Sequence, residues 1–242
     1  MHQVTGSSQK PTAASSITRL GHLHRLWNTD RSLTALLVML VLLLFVVGPL
    51  SSGHVIGTEL SIGFFSVLTV TGVAAVAGRP LTIAILMVTA VTSIALDWFA
   101  HFGGGGSVQL ADVTLRAGFV LLLGVVVMLQ VFRPGNITHH RVQGAVVVYL
   151  LAGLAWGHVY NIVHLIDPSA IRIPLVPIVP SARFAQFQYF SFETLTTLGY
   201  GDVLPISALA RALASSEALF GQLYPALMIA RLVTLELRER SR

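Results

Sequence analysis

Residues 194–202 read TLTTLGYGD. Two glycines flank a tyrosine behind a run of threonines, and Asp202 carries the only charge in the stretch. Glycine readily takes backbone conformations with positive φ, so these residues leave peptide N–H and C=O groups outside any regular ladder. The neighbours make that costly. Upstream lies ARFAQFQYFSFETLT (182–196), apolar and aromatic, and downstream a long apolar run begins at residue 206. Irregular backbone in apolar surroundings survives only where protein buries it or where it lines a water-filled path.

The rest of the chain identifies those surroundings. Of its 242 residues, 54% are hydrophobic and 10% charged. A soluble domain has about 25% charged residues, so the bilayer is the expected solvent. Six apolar runs (33–50, 60–77, 81–100, 113–132, 142–166 and 206–235) come near or exceed the ~20 residues that cross a hydrocarbon core. Gly-Pro, Ser-Ser-Gly, Gly-Arg-Pro, four successive glycines and Arg-Pro-Gly punctuate them, all loop signals. The first 32 residues are polar and basic and read as a disordered cytoplasmic segment. The apolar run that follows is longer than a signal peptide's core.

There is no cysteine, which excludes disulfide and thiolate chemistry. A net charge of +5 would suit nucleic acid, but the basic residues sit at the ends of apolar runs, as membrane topology requires. With the N-terminus inside, Lys10, Arg19, Arg25, Arg31, Arg79, Arg133, Arg141, Arg231, Arg238, Arg240 and Arg242 are cytoplasmic. Arg116, Arg172, Arg183 and Arg211 fall outside or at the outer boundary, a split of eleven against four. Both termini are then cytoplasmic. Residues 33–132 form a four-helix peripheral domain, 142–235 a second membrane domain, and 236–242 a short tail.

Between the fifth and sixth runs the pattern breaks. DPSAIRIPLVPIVP (167–180) holds four prolines, which forbid a long helix. The aromatic segment after it is too short to span. A helix of roughly 15 residues, followed by glycines and returning to the same side, reads as re-entrant. The backbone of TLGYG then faces a path through the membrane. Carbonyl oxygens converging on an axis replace the water shell of a cation, as in the four TVGYG loops of potassium channels.

FSFETLTTLGYGDVLP (190–205) resembles the pore helix and selectivity filter of the potassium-channel pore-loop family. The resemblance runs over about 142–235, in the order outer helix, pore helix, filter, inner helix. It implies an all-α membrane protein with six transmembrane helices, a re-entrant pore helix and filter between helices five and six, and a homotetramer around a central pore. K+ is then the permeant ion, membrane lipids are partners, and neither a cofactor, nucleic acid nor an enzymatic reaction is expected. By the same resemblance, the carbonyls of Thr197, Leu198, Gly199 and Tyr200 bind K+, the Thr197 hydroxyl adds the innermost site, and Gly201 sits at the outer mouth. Leu198 stands where the family more often has valine or isoleucine.

Thr196 closes the pore helix, whose C-terminal end carries about half a negative charge and is aimed at the cavity. Glu193 and Asp202 either pair behind the filter or stand apart, one isolated and one solvated. Gly221, twenty residues after Gly201, occupies the family's hinge position, with Pro225 removing a helix bond beyond it. The other reading of Gly221 is close helix packing. Gln222, Pro225 or Ala226, and Ile229 fall on a cavity-lining stripe.

Further polar residues need a place. Glu217 lies within the sixth run, where a carboxylate is costly and a functional candidate. Its expected direction is away from the axis, toward its own pore helix or the fifth helix, where His158, Tyr160 and Asn161 are among the possible partners, in a structural hydrogen bond or as an ion or proton site. His164 with Asp167, and Asp97 with His101, read as interfacial pairs; no histidine spacing suits a metal. The fourth run has Arg116 alone. One charge crossing the whole field yields ~2.3 kcal/mol per 100 mV, so steep voltage gating is not expected. Two rivals remain: a weakly selective cation channel or transporter subunit, and a polytopic membrane enzyme in which GYGD is coincidental. The single pore loop disfavours the first. The lack of a catalytic cluster disfavours the second.

Overall fold

The computed structural model describes residues 32–52, 58–76, 80–101, 106–132, 139–174 and 180–240. The basic leader at 1–31, most of the loop punctuation, and the side chains of Asp97 and His101 lie outside what is described. The expectations placed on them lie there too. Helix α1 covers residues 32–52. It is followed by α2 (Thr58–Ala75), α3 (Pro80–His101), α4 (Gly106–Val131), α5 (His139–Ile166), α6 (Pro180–Leu195) and α7 (Ala208–Arg240). Three of the expected runs are long and apolar enough to cross a membrane: Ser32–Leu50, Gly106–Val131 and Arg141–Ile166. Helices α2 and α3 contribute shorter apolar stretches, Ile62–Ala75 and Leu81–Leu96.

Gly48-Pro49 does not end the first helix, as the punctuation suggested. Leu43–Val47 form a π turn, in which the Gly48 N–H bonds to the Leu43 carbonyl five residues back. The extra residue shifts the ladder just where Pro49 has no N–H to offer, so the helix continues to Ser52. A π turn is an uncommon device, frequent at functional sites.

Helices α4 and α5 form the most extensive contact in the molecule. Phe119, Val120, Leu123 and Val127 of α4 are fully buried, as are Val147 and Leu154 of α5. On α5, Gly153 and Gly157 make a notch for α6. A Cβ at Gly153 would lie 2.6 Å from Phe192, and one at Gly157 would lie 3.1 Å from the Gln188 Cα. Small residues spaced by four allow such close approach. Helix α1 packs on the far side of α6, where Phe45 and Phe192 meet at 6.5 Å.

A two-residue antiparallel pair closes the outer side: β1 (Ile171–Arg172) against β2 (Leu204–Pro205). The Ile206 and Ser207 N–H groups both donate to the Ala170 carbonyl, at 2.8 and 3.1 Å. The proline-rich loop is thereby fastened to the segment leaving TLGYG. The Asp167 carboxylate is held below its usual range by the Ser169 hydroxyl and N–H. It bonds to that turn and not to His164, whose ring instead tilts against Phe187 at 5.2 Å.

Candidate pore loop

Helix α6 stops at Leu195, and residues 196–203 belong to no helix or strand. The carbonyls of its last turn all find donors. The Phe192 carbonyl accepts from the Thr196 N–H at 3.0 Å, Glu193 from Leu198 at 2.8 Å, and Thr194 from Thr197 at 3.0 Å. The Leu195 carbonyl accepts from the Tyr149 hydroxyl at 3.3 Å. The Thr196 hydroxyl also donates to the Phe192 carbonyl, at 2.6 Å.

Beyond that turn the two sides of the backbone part company. Leu198 gives its N–H to the Glu193 carbonyl, and Tyr200 gives its N–H to the Glu193 carboxylate. Alternate peptides of the loop are thus held by one residue. No hydrogen bond among the described residues ends on a carbonyl of residues 196–201. The backbone angle φ is positive at every second position, 58° at Thr197, 65° at Gly199 and 79° at Gly201. Alternating handedness aligns successive N–H groups on one side, which leaves the carbonyls on the other. Glycine accepts this at 199 and 201 without cost. A β-branched threonine at positive φ is an outlier, and such strain clusters at functional sites.

The supporting residues divide differently from either sequence reading. Glu193 is buried and bonded to the loop. Asp202 is exposed and accepts from the Tyr189 hydroxyl at 3.3 Å and the Val203 N–H at 3.0 Å. No hydrogen bond joins the two carboxylates. Gln222, expected on a cavity-lining stripe, donates from its Nε2 to the Thr197 hydroxyl oxygen at 3.1 Å. It therefore ties the inner helix to the strained residue. Ile229 is exposed on α7.

Gly221 sits where α7 crosses the end of α6. A Cβ there would collide with the Leu195 carbonyl oxygen and lie 2.8 Å from its carbon. The close-packing reading has direct geometric support, and α7 runs unbroken through Gly221 and Pro225. Glu217 is fully buried and meets Tyr160, one of the three partners foreseen, at 2.5 Å. Its second partner is Ser191, also at 2.5 Å, on α6, the short helix that was the other expected side. His158 is turned elsewhere, stacked on Phe184 at 4.4 Å. No spacing rule points at Ser191, Tyr149 or Tyr189, because each meets its partner across helices whose relative depth the sequence does not encode. On α4, Arg116 forks onto Asp112, Nε to Oδ1 and NH2 to Oδ2 both at 3.0 Å. Its guanidinium lies over Phe65 at 5.0 Å.

Residues 145–237 match the family model described as Ion channel. This segment is a pore-loop ion-channel domain. It takes in most of α5, all of α6 and the loop, and α7 nearly to its end, so the notched helix, the short helix and the close-crossing helix all fall within one matched segment. No curated protein and no solved structure matches the chain. The match supports an ion-channel role for this segment, and residues 194–202 lie inside it.

Proposed function

We propose that four copies of this chain form a potassium-selective pore that conducts K+ passively. The observation that carries this reading is the one-sidedness of the loop: N–H groups bound inward, carbonyls at 196–201 without partners, and φ alternating in sign. Such a row of acceptors suits a partly dehydrated cation. The carbonyls of Thr197, Leu198, Gly199 and Tyr200, with the Thr197 hydroxyl, are the K+ ligands; Gly201 is the outer mouth. One loop supplies one quarter of a ring, so closure calls for a tetramer. In a single chain Tyr200 is 71% exposed and Leu198 56%, which favours cover by neighbouring copies.

The remaining parts follow. Six membrane segments with both termini cytoplasmic agree with the distribution of arginines. Helices α1–α4 form a peripheral domain without strong voltage sensing. The partner of Arg116 lies on the same helix, so any movement of α4 carries both charges and no net charge from this pair. No cofactor is required. The test is K+ flux into liposomes bearing the purified protein, with Na+ as comparison. K+ should enter and Na+ be excluded, and Gly199→Ala should abolish flux, because a side chain is strained at that φ. Equal K+ and Na+ flux, or normal K+ flux in Gly199→Ala, would overturn the reading.

A further inference from the structure

The node around Glu217 has a proton count that goes beyond the pore loop. Glu217, Tyr160 and Ser191 come from α7, α5 and α6, and each is fully buried. Three oxygen pairs lie at hydrogen-bond distance. Tyr160 Oη is 2.5 Å from Glu217 Oε2, Ser191 Oγ is 2.5 Å from Glu217 Oε1, and Ser191 Oγ is 2.7 Å from the Gly153 carbonyl oxygen. Three such contacts need three protons. Tyr160 supplies one and Ser191 supplies one. A backbone carbonyl supplies none, so the third belongs to Glu217.

We propose that Glu217 is a neutral carboxylic acid that donates to Ser191, which in turn donates to the Gly153 carbonyl, and that this relay positions the pore helix between α5 and α7. The proposal of a positioning role rests on the pore reading above. From α5, Tyr160 faces the acid, with Tyr149 further along the helix; from α6 it is Ser191. Glu193 is turned to Tyr200. Of the α7 arginines whose side chains are described, Arg211 is engaged on the Pro205 carbonyl and Arg231 on the Phe132 carbonyl. Loss of the proton would leave a carboxylate in an apolar interior with no cation hydrogen-bonded to it among the described residues, which is costly. It would also draw the Ser191 hydrogen away from Gly153, loosening α6 from its notch. Glutamine copies the neutral acid: its amide N–H donates to Ser191 and its carbonyl accepts from Tyr160.

The full-length protein in liposomes is followed by K+ flux and infrared difference spectra across an alkaline pH series. At neutral pH a protonated-carboxyl band is expected, shifted by Ser191→Ala and missing in Glu217→Gln. Wild-type flux should be lost as that band titrates away. Glu217→Gln should keep neutral-pH flux without the alkaline loss, whereas Glu217→Ala should lose flux throughout. A band indifferent to Ser191→Ala, or an alkaline loss that persists in Glu217→Gln, overturns the proposal. If Glu217→Gln does not insert, the wild-type band and its shift in Ser191→Ala decide the matter, and absence of either overturns it. The expected band behaviour in a protein that passes no K+ would leave the relay standing and sink the pore reading.

Discussion

The two halves of the chain satisfy their polar groups in different ways. In α2–α4 the hydroxyls bond back to their own helix. Ser66 donates to the Ile62 carbonyl, Thr69 to Phe65, Thr89 to Ile85, Thr92 to Val88 and Thr114 to Leu110, each four residues back. In α5–α7 Ser215, Ser216 and Thr234 also bond back to α7, but a second set of polar side chains crosses between elements. Tyr149 reaches Leu195, Tyr160 and Ser191 reach Glu217, Tyr189 reaches Asp202, Gln222 reaches Thr197, and Tyr224 reaches the Ala145 carbonyl at 2.9 Å. Local bonds fix nothing about how helices sit against each other; crossing bonds fix their depth and rotation. The difference is what a pore needs, because a loop of unpartnered carbonyls holds its shape only through its supports. The four peripheral helices rest on apolar contact, with Thr34 to Gln143 at 3.2 Å a bond from α1 to α5.

The sharpest way to break this contrast is through glycine. Gly221→Ala drives a methyl into the backbone of Leu195. Ordinary overpacking costs roughly 1–3 kcal/mol; here the obstacle is main chain at the base of the loop, and the expected cost lies above that range, with K+ flux lost. Gly63→Ala and Gly118→Ala meet nothing within 4 Å and should leave flux and thermal stability unchanged. Equal tolerance at Gly221, measured by flux and melting in detergent, would show that the inner helix does not need its close crossing.

How much of this was legible beforehand divides along the same line. The loop's place, its pore helix and the inner helix could be read because glycine, proline and apolar run length act locally. Helix α6 at Pro180–Leu195 lies within two residues of that reading, whereas α7 at Ala208–Arg240 begins two residues after the expected run and ends five residues beyond it. The π turn at Leu43–Val47 could not be read, since Gly-Pro signals a stop as well as it signals a displaced ladder. Nor could Gln222 on Thr197 or Ser191 on Glu217, because both depend on the depth at which α7 passes α6. The close approach of Gly221 to the Leu195 carbonyl, which supports the packing reading, is likewise a contact that no spacing rule encodes.

The next largest effect belongs to the peripheral half. Arg116→Gln removes one member of a mostly buried fork. Breaking such a pair costs roughly 3–5 kcal/mol, and about 3 kcal/mol is expected because the Arg116 side chain keeps 17% exposure. Arg116→Gln combined with Asp112→Asn should recover most of that loss. Bilayer recordings of the double variant should show the wild-type dependence of open probability on voltage. A changed steepness would make Arg116 a gating charge and the peripheral half a sensor.

Crossing hydroxyls rank below this. Tyr149→Phe and Tyr224→Phe keep their rings, including the mutual stack at 6.1 Å, and lose only the bonds to Leu195 and Ala145. Interhelical hydrogen bonds in membranes average about 0.6 kcal/mol, with a maximum of about 1.7. Tyr149→Phe should fall toward the upper figure and reduce flux, since it uncaps the last carbonyl before the loop. Tyr224→Phe should fall near the average with flux intact. A larger loss of flux in Tyr224→Phe would move the critical support away from the end of the pore helix.

The smallest effects are expected where bonds stay local, and these decide whether the contrast is real. On the single chain Thr89 is half-buried and Thr92 exposed, and both donate to carbonyls one turn back, at 2.6 and 2.8 Å. Those carbonyls already accept a helix N–H, so removing the hydroxyl orphans no donor and no acceptor. Valine has nearly the same shape, and it prefers lipid to water. Thr89→Val and Thr92→Val should each change stability by less than about 0.5 kcal/mol, the usual scale for a substitution that breaks no buried contact, with flux unaltered. The measurement is a pair of melting curves in one detergent, alongside flux. A destabilisation as large as that of Tyr149→Phe would mean that α3 makes a polar contact with another copy of the chain. The peripheral half would then be cross-bonded like the pore half, only between subunits.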